Sequence, residues 1–355
     1  SQRTVPMLPS AVHTLVVGAG FAGMAAAAAV LRAEPQADLL IIERADEVGG
    51  TWRDNTYPGC ACDVPTSLYS FSFAPSATWS HTFARQPEIH RYLTSVADQT
   101  GLRRRLITGC ELLAATWDEG RQCWQVRTSL GDLTAAVLVA ATGALSTPKL
   151  PDVPGLEDFR GTVFHSATWN HDHDLTGERV AVVGTGASAV QFVPEIADRT
   201  AHLTVFQRTP AWVMPRLDRT LGRVEKALYR RIPLSQKLVR TVVYTYREGY
   251  LALLAHLTWL LPLVQLVAKT QLRRQVPDPA LRAALTPDFR IGCKRILLTN
   301  DWLPTLARED VEVVTTALAE ITETGVRDGA GRLHEVDAII FATGFTPTEP
   351  PVAHL

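Results

Sequence analysis

Two glycine-rich turns are the residues of this 355-residue chain whose spacing points most directly to chemistry. The sequence of the first turn is Gly18-x-Gly20-x-x-Gly23, and that of the second is Gly184-x-Gly186-x-x-Ala189. In such turns the first glycine permits a tight bend and the second lets the backbone approach a pyrophosphate. The third small residue allows the following helix to pack closely, and the N-terminus of that helix carries partial positive charge. Both turns therefore predict a dinucleotide site.

The residues downstream of each turn predict which dinucleotide binds. Glu43 lies twenty residues after Gly23 and ends an apolar run, where a carboxylate accepts hydrogen bonds from ribose hydroxyls. The corresponding run of the second unit ends on Arg208, and an arginine there suits the 2′-phosphate of NADPH. A solvated arginine at a strand end is the alternative for Arg208. One acidic and one basic site predict FAD in the first unit and NADPH in the second.

Short apolar runs position these motifs. Each turn lies between one such run and a stretch typical of a helix, and two later runs lead into an Ala-Thr-Gly sequence. The predicted strands are 13–17, 39–42, 137–140, 180–183, 203–206 and 338–341. Strands that alternate with helices predict an α/β fold with two dinucleotide-binding, Rossmann-like domains.

The domain boundaries follow from composition. We expect an FAD-binding domain at 1–147, a proline-marked linker at 148–175, an NADPH-binding domain at 176–347 and a short return segment at 348–355. The stretch 221–278 is rich in Leu and Arg and predicts a helical insertion in the second domain.

One part of the insertion, 250–268, is long enough to cross a membrane. It contains His256, Pro262 and Gln265, and basic residues lie on both sides of it. These interruptions favour a buried or groove-lining helical hairpin over a membrane span.

Composition excludes several classes of protein. Hydrophobic residues make up 46% of the chain, charged residues 20%, and the net charge is -1, which argues against disorder and against nucleic acid as a partner. Five scattered cysteines do not form the framework of a secreted disulfide protein, and 1–9 lacks the pattern of a signal peptide, so we expect a cytoplasmic setting. Cys60 and Cys62 lack the spacing of a redox motif and a second ligand pair, so no metal site is expected.

The segment 49–63 separates the remaining enzyme classes, which are disulfide reductases, hydroxylating flavoproteins and other monooxygenases. Trp52 and Tyr57 occupy the places where a disulfide reductase needs its redox cysteines, so thiol exchange is not expected. The segment resembles the first signature of the Baeyer–Villiger monooxygenases, which is Gly-Gly-x-Trp, four residues, an aromatic residue with Pro-Gly, three residues and Asp. Every fixed position is matched, from Gly49 to Asp63.

A second signature of that family is matched by Phe159, Gly161, His165 and Trp169, and Asn170 follows where the family has Pro or Asp. Related flavin monooxygenases that oxygenate nitrogen or sulfur usually carry Tyr or Phe at the position of Trp169. The family associates His165 with communication between domains, whereas its position in a linker favours a histidine with local hydrogen bonds only.

A third resemblance covers Ile291 to Arg295 and the following Asn300-Asp301. It implies that Arg295 stabilises an anionic C4a-peroxyflavin and the oxyanion of the ketone adduct, because arginine keeps its charge. By the same resemblance, Asp63 holds Arg295, and Lys294 joins Arg208 on the 2′-phosphate. An exposed basic pair at a strand start is the alternative.

The resemblance implies an FAD- and NADPH-dependent monooxygenase that inserts one oxygen atom from O2 next to a ketone carbonyl and gives an ester or lactone. Residues 291–301 are similar to the branch that includes 4-hydroxyacetophenone monooxygenase, which suggests an aryl or bulky ketone. The alternatives are oxygenation of nitrogen or sulfur, and a cofactor-binding fragment without turnover, since family members continue beyond the second Ala-Thr-Gly into a segment that covers the flavin. The predicted cofactor-binding residues are Gly18, Gly20, Gly23, Glu43, Gly50, Thr51, Trp52, Asp63, Tyr69, Gly184, Gly186, Ser188, Ala189, Arg208, Thr209 and Lys294.

Overall fold

A computed structural model describes residues 7–145 and 147–345 of the chain. These residues form two compact units. Within the described ranges, the first unit comprises 7–54, 86–145, 147–148 and 345, and the second comprises 55–85 and 149–344.

The described residues contain sixteen strands and nine α-helices, together with four short 3-10 helices. The strands are β1 (Ala11–Val17), β2 (Leu39–Glu43), β3 (Leu106–Thr108), β4 (Leu112–Asp118), β5 (Cys123–Thr128), β6 (Gly131–Ala140), β7 (Thr162–His165), β8 (Arg179–Val183), β9 (His202–Phe206), β10 (Val213–Met214), β11 (Leu297–Leu298), β12 (Val311–Val314), β13 (Leu318–Thr322), β14 (Gly325–Asp328), β15 (Leu333–Glu335) and β16 (Ala338–Phe341). The helices are α1 (Phe21–Ala33), α2 (Thr51–Asp54), α3 (Gln86–Gln99), α4 (Ala189–Ala197), α5 (Arg223–Arg231), α6 (Pro233–His256), α7 (Leu261–Gln275), α8 (Pro279–Ala284) and α9 (Trp302–Leu306).

The first unit is built on a six-stranded sheet in the order β3-β2-β1-β6-β5-β4. β1 pairs in parallel with β2 and β6, as the βαβ pattern of the sequence predicts. The β4-β5-β6 end is antiparallel and was not predicted. The apolar side chains of Leu15, Ile42 and Val126 are buried in the core on this sheet, which fixes the carboxyl ends of β1 and β2 at one edge.

The second unit contains a five-stranded, all-parallel sheet in the order β12-β9-β8-β16-β7. Its three central strands, β9, β8 and β16, are almost fully buried, as is usual when both faces of a parallel sheet are covered, and the edge strands β12 and β7 are partly buried. β13, β14 and β15 form a small antiparallel sheet beside it. The predicted fold class, two Rossmann-like dinucleotide-binding units in an α/β chain, is confirmed.

The units differ from the predicted boundaries in two places. β7 lies inside the predicted linker 148–175 but pairs with β16, because Val163 and Phe164 are apolar and extend the second sheet. The segment 55–85, predicted in the first domain, belongs to the second unit. Gln191 of α4 accounts for part of this, because its side-chain amide exchanges two hydrogen bonds with the backbone of Ala61, at 3.0 and 3.1 Å. The predicted return segment 348–355 lies outside the described residues.

The predicted helical insertion is present as α5 to α8. It starts after β10 and ends before β11, and these two strands pair in parallel. α6 and α7 do not form the predicted hairpin, because the chain bends by 92° between them, and about half of their large apolar side chains are exposed. Within 7–145 and 147–345, no single helix is long and apolar enough to cross a membrane. Taken together across their bend, α6 and α7 have the length and the apolar composition of a membrane span.

Candidate cofactor and active sites

The first glycine turn joins β1 to α1 in the first unit. Gly18 has φ of +102°, a left-handed conformation that favours glycine, and a Cβ at Gly23 would overlap the Gly18 carbonyl oxygen. Gly20 is the N-cap of α1 and faces Gly50, whose φ is +52°. The Cα atom of Gly20 and a Cβ built on Gly50 would be 3.2 Å apart, so side chains here would fill the space beside the helix N-terminus. This backbone-lined cradle fits the pyrophosphate of FAD.

Glu43 ends β2 and is buried. Its carboxylate accepts hydrogen bonds from the backbone amides of Ala19, at 2.9 Å, and Ala45, at 3.0 Å. Arg53 on α2 pairs with the same carboxylate at 3.2 Å. Glu43 therefore ties the glycine turn to β2, and its role toward a ribose remains a prediction. The sequence did not single out Arg53, although its place directly after Thr51-Trp52 put it next to the predicted flavin contacts.

Thr51 and Trp52 both lie on the short helix α2, with Thr51 exposed and Trp52 buried. The Trp52 carbonyl accepts a hydrogen bond from the side chain of Gln86 on α3. Tyr69 lies in the segment that belongs to the second unit. The flavin contacts predicted for these three residues remain predictions.

The second glycine turn joins β8 to α4. Gly184 has φ of +108°, and a Cβ there would overlap the carbonyl oxygen of Ala342. Gly186 has open space on its side-chain face, with no atom within 4 Å of a Cβ built there. Ser188 is the N-cap of α4 and Ala189, the first helical residue, is fully buried. The open backbone at Gly186, next to the start of a helix, fits the pyrophosphate of NADPH.

Arg208 and Thr209 follow β9. Arg208 is exposed and forms no ion pair with any described residue, so its charge is available to an anion. Lys294 is exposed as well, and its Nζ lies 4.6 Å from the centre of the Phe289 ring. The joint contact of Arg208 and Lys294 with one phosphate remains a prediction.

Asp63 and Arg295, 232 residues apart in sequence, meet as predicted. Nη2 of Arg295 donates to a carboxylate oxygen of Asp63. The two side chains are 61% and 32% exposed, so the pair contributes little to stability, about 0–1 kcal/mol. Its consequence is geometric, because it fixes where the charge of Arg295 lies.

Three further arginines hold the backbone around Asp63. Arg216 donates to the carbonyl of Cys62 at 3.1 Å, and Arg247 donates to the carbonyl of Asp63 at 3.1 Å. Arg240 donates to three carbonyls of the segment 67–70. Arg240 and Arg247 are both on α6, so the helical insertion positions the segment that carries Asp63. The sequence did not predict these roles, since arginines of a basic helix such as α6 are usually solvated and no local pattern distinguishes Arg216 in the loop after β10.

Asp63 and Arg295 line a cavity of about 720 Å³ within the second unit. The loop 64–67, strands β10 and β11 and helices α5 to α7 complete its wall. Most of the wall is apolar, with side chains such as Trp79, Phe83 and Val243. A largely apolar cavity with a few polar groups is typical of a small-molecule site.

The residues of the second signature lie on and around β7. Trp169 packs edge-on against Phe164 and also contacts Phe192 of α4, with ring centres 5.0 and 5.2 Å apart. His165 ends β7 and is buried, and its Nδ1 accepts a hydrogen bond from the backbone of Ala167 at 3.0 Å. Burial lowers the pKa of His165. These contacts support packing around β7, and they fit the local role expected from its position.

Cys60 and Cys62 are buried, free thiols. Burial raises the pKa of Cys60 to about 11 and that of Cys62 to about 12. Only the thiolate attacks a disulfide, so these cysteines are poor candidates for thiol exchange.

The chain is similar to known flavoenzymes along most of its length. A family model described as pyridine nucleotide-disulphide oxidoreductase matches residues 15–232. A Baeyer-Villiger monooxygenase of Streptomyces coelicolor is 50% identical over 342 residues, which are 96% of this chain and 66% of that protein. The chain belongs to the Baeyer–Villiger monooxygenase family. It spans about two thirds of the length of the curated relatives it matches.

Solved structures agree with this family. An oxidized steroid monooxygenase bound to NADP superposes with a TM-score of 0.84 at 33% identity, covering 94% of this chain and 72% of that one. The crystal structure of OTEMO in complex with FAD and NADP superposes with a TM-score of 0.82 at 29% identity, and the match covers 94% of this chain and 71% of that one. The predicted family is confirmed, and the predicted cofactor pair agrees with the ligands of these neighbours.

Proposed function

We propose that this Baeyer–Villiger monooxygenase chain binds FAD in its first unit and NADPH in its second. With both cofactors bound, the proposed reaction inserts one oxygen atom from O2 beside the carbonyl of a ketone and gives an ester or lactone. When bound, the two cofactors supply electrons from NADPH and activated oxygen formed on the reduced flavin. A reducing, cytoplasmic setting suits the five free cysteines.

The observation that carries this proposal is the Asp63–Arg295 pair in the wall of an apolar cavity. A ketone carbonyl that is attacked by a nucleophile develops negative charge on its oxygen. A guanidinium, which stays charged at any working pH, stabilises that oxyanion. Asp63 holds the guanidinium by one nitrogen and leaves the other N–H groups of Arg295 able to donate to the substrate.

The cavity suggests the kind of ketone. Its volume of about 720 Å³ and its aromatic and aliphatic wall suit a bulky or aryl ketone better than a small polar one. Oxygenation of sulfur, the alternative, develops no comparable oxyanion on the substrate and makes less use of a fixed cation.

The test is NADPH oxidation that depends on both oxygen and a ketone, with the ester detected by mass spectrometry. Arg295→Ala should lower kcat for ester formation by a factor on the order of 10²–10³ while Kd for NADP stays unchanged. Arg290→Ala, at another exposed arginine before the same strand, is the matched control. NADPH consumption that yields only peroxide in the unsubstituted chain and in Arg295→Ala alike would contradict the proposal, and sulfoxide from thioanisole without ester would favour the alternative.

A further inference from the structure

The helical insertion carries most of the exposed apolar surface. Of the 23 large hydrophobic side chains that are exposed in the described ranges, 15 lie between residues 217 and 267. Leu234, Leu238 and Val242 recur every four residues and therefore share one face of α6. Trp259, at the bend between α6 and α7, is 73% exposed. An apolar surface of this extent marks an interaction site.

The same segment is strongly basic. Residues 223–275 contain ten Lys and Arg against two Asp and Glu, a net charge of +8 in a chain whose total is -1. Two of the ten, Arg240 and Arg247, donate to the segment 63–70, and the other eight do not take part in those contacts. Exposed arginines flank the apolar stretch at both ends, at Arg230 and Arg231 before α6 and at Arg273 and Arg274 in the last turn of α7. The partner of this surface must therefore be both apolar and negatively charged.

Charge decides between the possible occupants. A second copy of the chain would bring the same +8 against this face, which is unfavourable. A nucleic acid matches the charge but offers nothing to the exposed Leu and Val side chains. An anionic bilayer satisfies both requirements, because apolar side chains enter the acyl boundary while Lys and Arg extend their charged ends to the headgroups.

We propose that the helical surface, defined as residues 217–267 with the flanking arginines, binds an anionic phospholipid membrane without crossing it. α6 and α7 lie in the interface with their apolar faces toward the acyl chains, and Trp259 lies at headgroup depth, where tryptophan is enriched. Val239, Val243 and Val267 of these helices also line the cavity of the second unit. If the proposed function holds, an apolar ketone dissolved in the membrane reaches that cavity through these helices.

Flotation with vesicles tests the proposal without any assay of activity. The chain should float with vesicles of phosphatidylcholine that contain one third phosphatidylglycerol, and little with phosphatidylcholine alone, and salt should weaken binding. Replacing Leu234, Leu238 and Val242 by Ser should lower the bound fraction about tenfold. Leu113→Ser with Leu150→Ser, at exposed positions outside the insertion, is the matched control. Unchanged circular dichroism of each variant shows that it is folded.

Insertion is measured separately from adsorption. Phosphatidylglycerol vesicles that contain brominated phosphatidylcholine should quench part of the tryptophan fluorescence, and Trp259→Phe should remove that part while Trp117→Phe retains it. The proposal is overturned by no flotation with anionic vesicles, or by equal flotation of the Ser variant. It is also overturned if the chain does not bind vesicles and light scattering shows a dimer that the Ser variant no longer forms.

Discussion

The guanidinium of Arg247 donates a hydrogen bond to the main-chain carbonyl of Asp63, with Nη2 3.1 Å from the oxygen. Arg240 lies seven residues earlier on α6, two helical turns away on the same face, and donates to the carbonyl of Ser67 at 3.0 Å. One helix of the insertion thus holds both ends of the segment 63–67. Because Asp63 in turn holds Arg295, the insertion sets the position of the proposed active-site cation.

Arg247→Met tests this positioning. Methionine keeps an apolar stem but loses the donor, so the backbone of Asp63 is less fixed. A hydrogen bond from a charged donor contributes about 1.5–3 kcal/mol. If about half of that energy is lost from the stabilisation of the transition state, kcat for ester formation falls about tenfold. KM for NADPH should stay unchanged, and Arg247→Lys should restore part of kcat. Steady-state kinetics, with the ester product quantified, measure both kcat and KM. An equal loss of kcat in Arg240→Met, which frees Ser67 but leaves the Asp63 contact, would show general loosening rather than positioning.

The two glycines of the second turn should respond differently to alanine. At Gly184 the left-handed backbone and the overlap with the Ala342 carbonyl oxygen strain any side chain, so Gly184→Ala should lower the free energy of unfolding by about 1–3 kcal/mol. At Gly186 a methyl group meets nothing within 4 Å, so Gly186→Ala should fold normally but fill the proposed pyrophosphate cradle. Thermal melting and NADP titration separate the two effects. A Gly186→Ala variant that binds NADP like the unsubstituted chain would place the pyrophosphate elsewhere.

The parts of the fold that the sequence predicted are those with strong local patterns. A buried parallel strand is a continuous apolar run, and a tight turn before a helix requires glycine, so β1, β2, β8 and β9 could be located from residue types alone. The Asp63–Arg295 pair was predicted as well, but only through the resemblance to a family. No local pattern connects two residues that are 232 positions apart.

The parts that the sequence missed depend on side chains that meet across long stretches of chain. Gln191 holds Ala61 in the second unit by amide hydrogen bonds, and nothing in the residues around either one indicates this. The same is true of Arg240 and Arg247, which look like ordinary solvated residues of a basic helix. The bend between α6 and α7 replaced the predicted hairpin because Leu257 departs from helical geometry and α7 starts in a new direction.

Arg208 should decide the preference for NADPH over NADH. It follows β9, is exposed and forms no ion pair within the described ranges, so a 2′-phosphate would be its first charged partner. Loss of one charge-assisted contact costs about 1.5–3 kcal/mol, so Arg208→Gln should lower the ratio of kcat/KM for NADPH to that for NADH by about 10- to 100-fold. Cofactor binding measured by fluorescence gives the same ratio without turnover. Arg199→Gln, at an exposed arginine of the same unit, should leave the ratio unchanged, and an unchanged ratio in Arg208→Gln would exclude the phosphate contact.

The buried thiol of Cys62 predicts a loss of stability at alkaline pH. Burial raises its pKa to about 12, whereas a thiol in the unfolded chain ionises near about 8.5. Between these values the folded state binds more protons than the unfolded state, so the free energy of unfolding falls as pH rises. The contribution of the neutral thiol is complete below about pH 8.5 and is lost progressively above it, at up to about 1.4 kcal/mol per pH unit.

Cys62→Ala removes this contribution and should make the alkaline part of the stability curve less steep, while the loss due to the buried thiol of Cys60 remains. Urea unfolding at about pH 8 and about pH 10 measures the difference. The smaller side chain lowers the free energy of unfolding equally at both pH values, so the contribution of the thiol is given by the difference in the free energy of unfolding between the two pH values. Cys293→Ala, at an exposed thiol, should keep the full alkaline loss. If Cys62→Ala loses as much stability between the two pH values as the unsubstituted chain, the thiol ionises as easily in the folded state as in the unfolded one, and its inertness toward disulfides would need another cause.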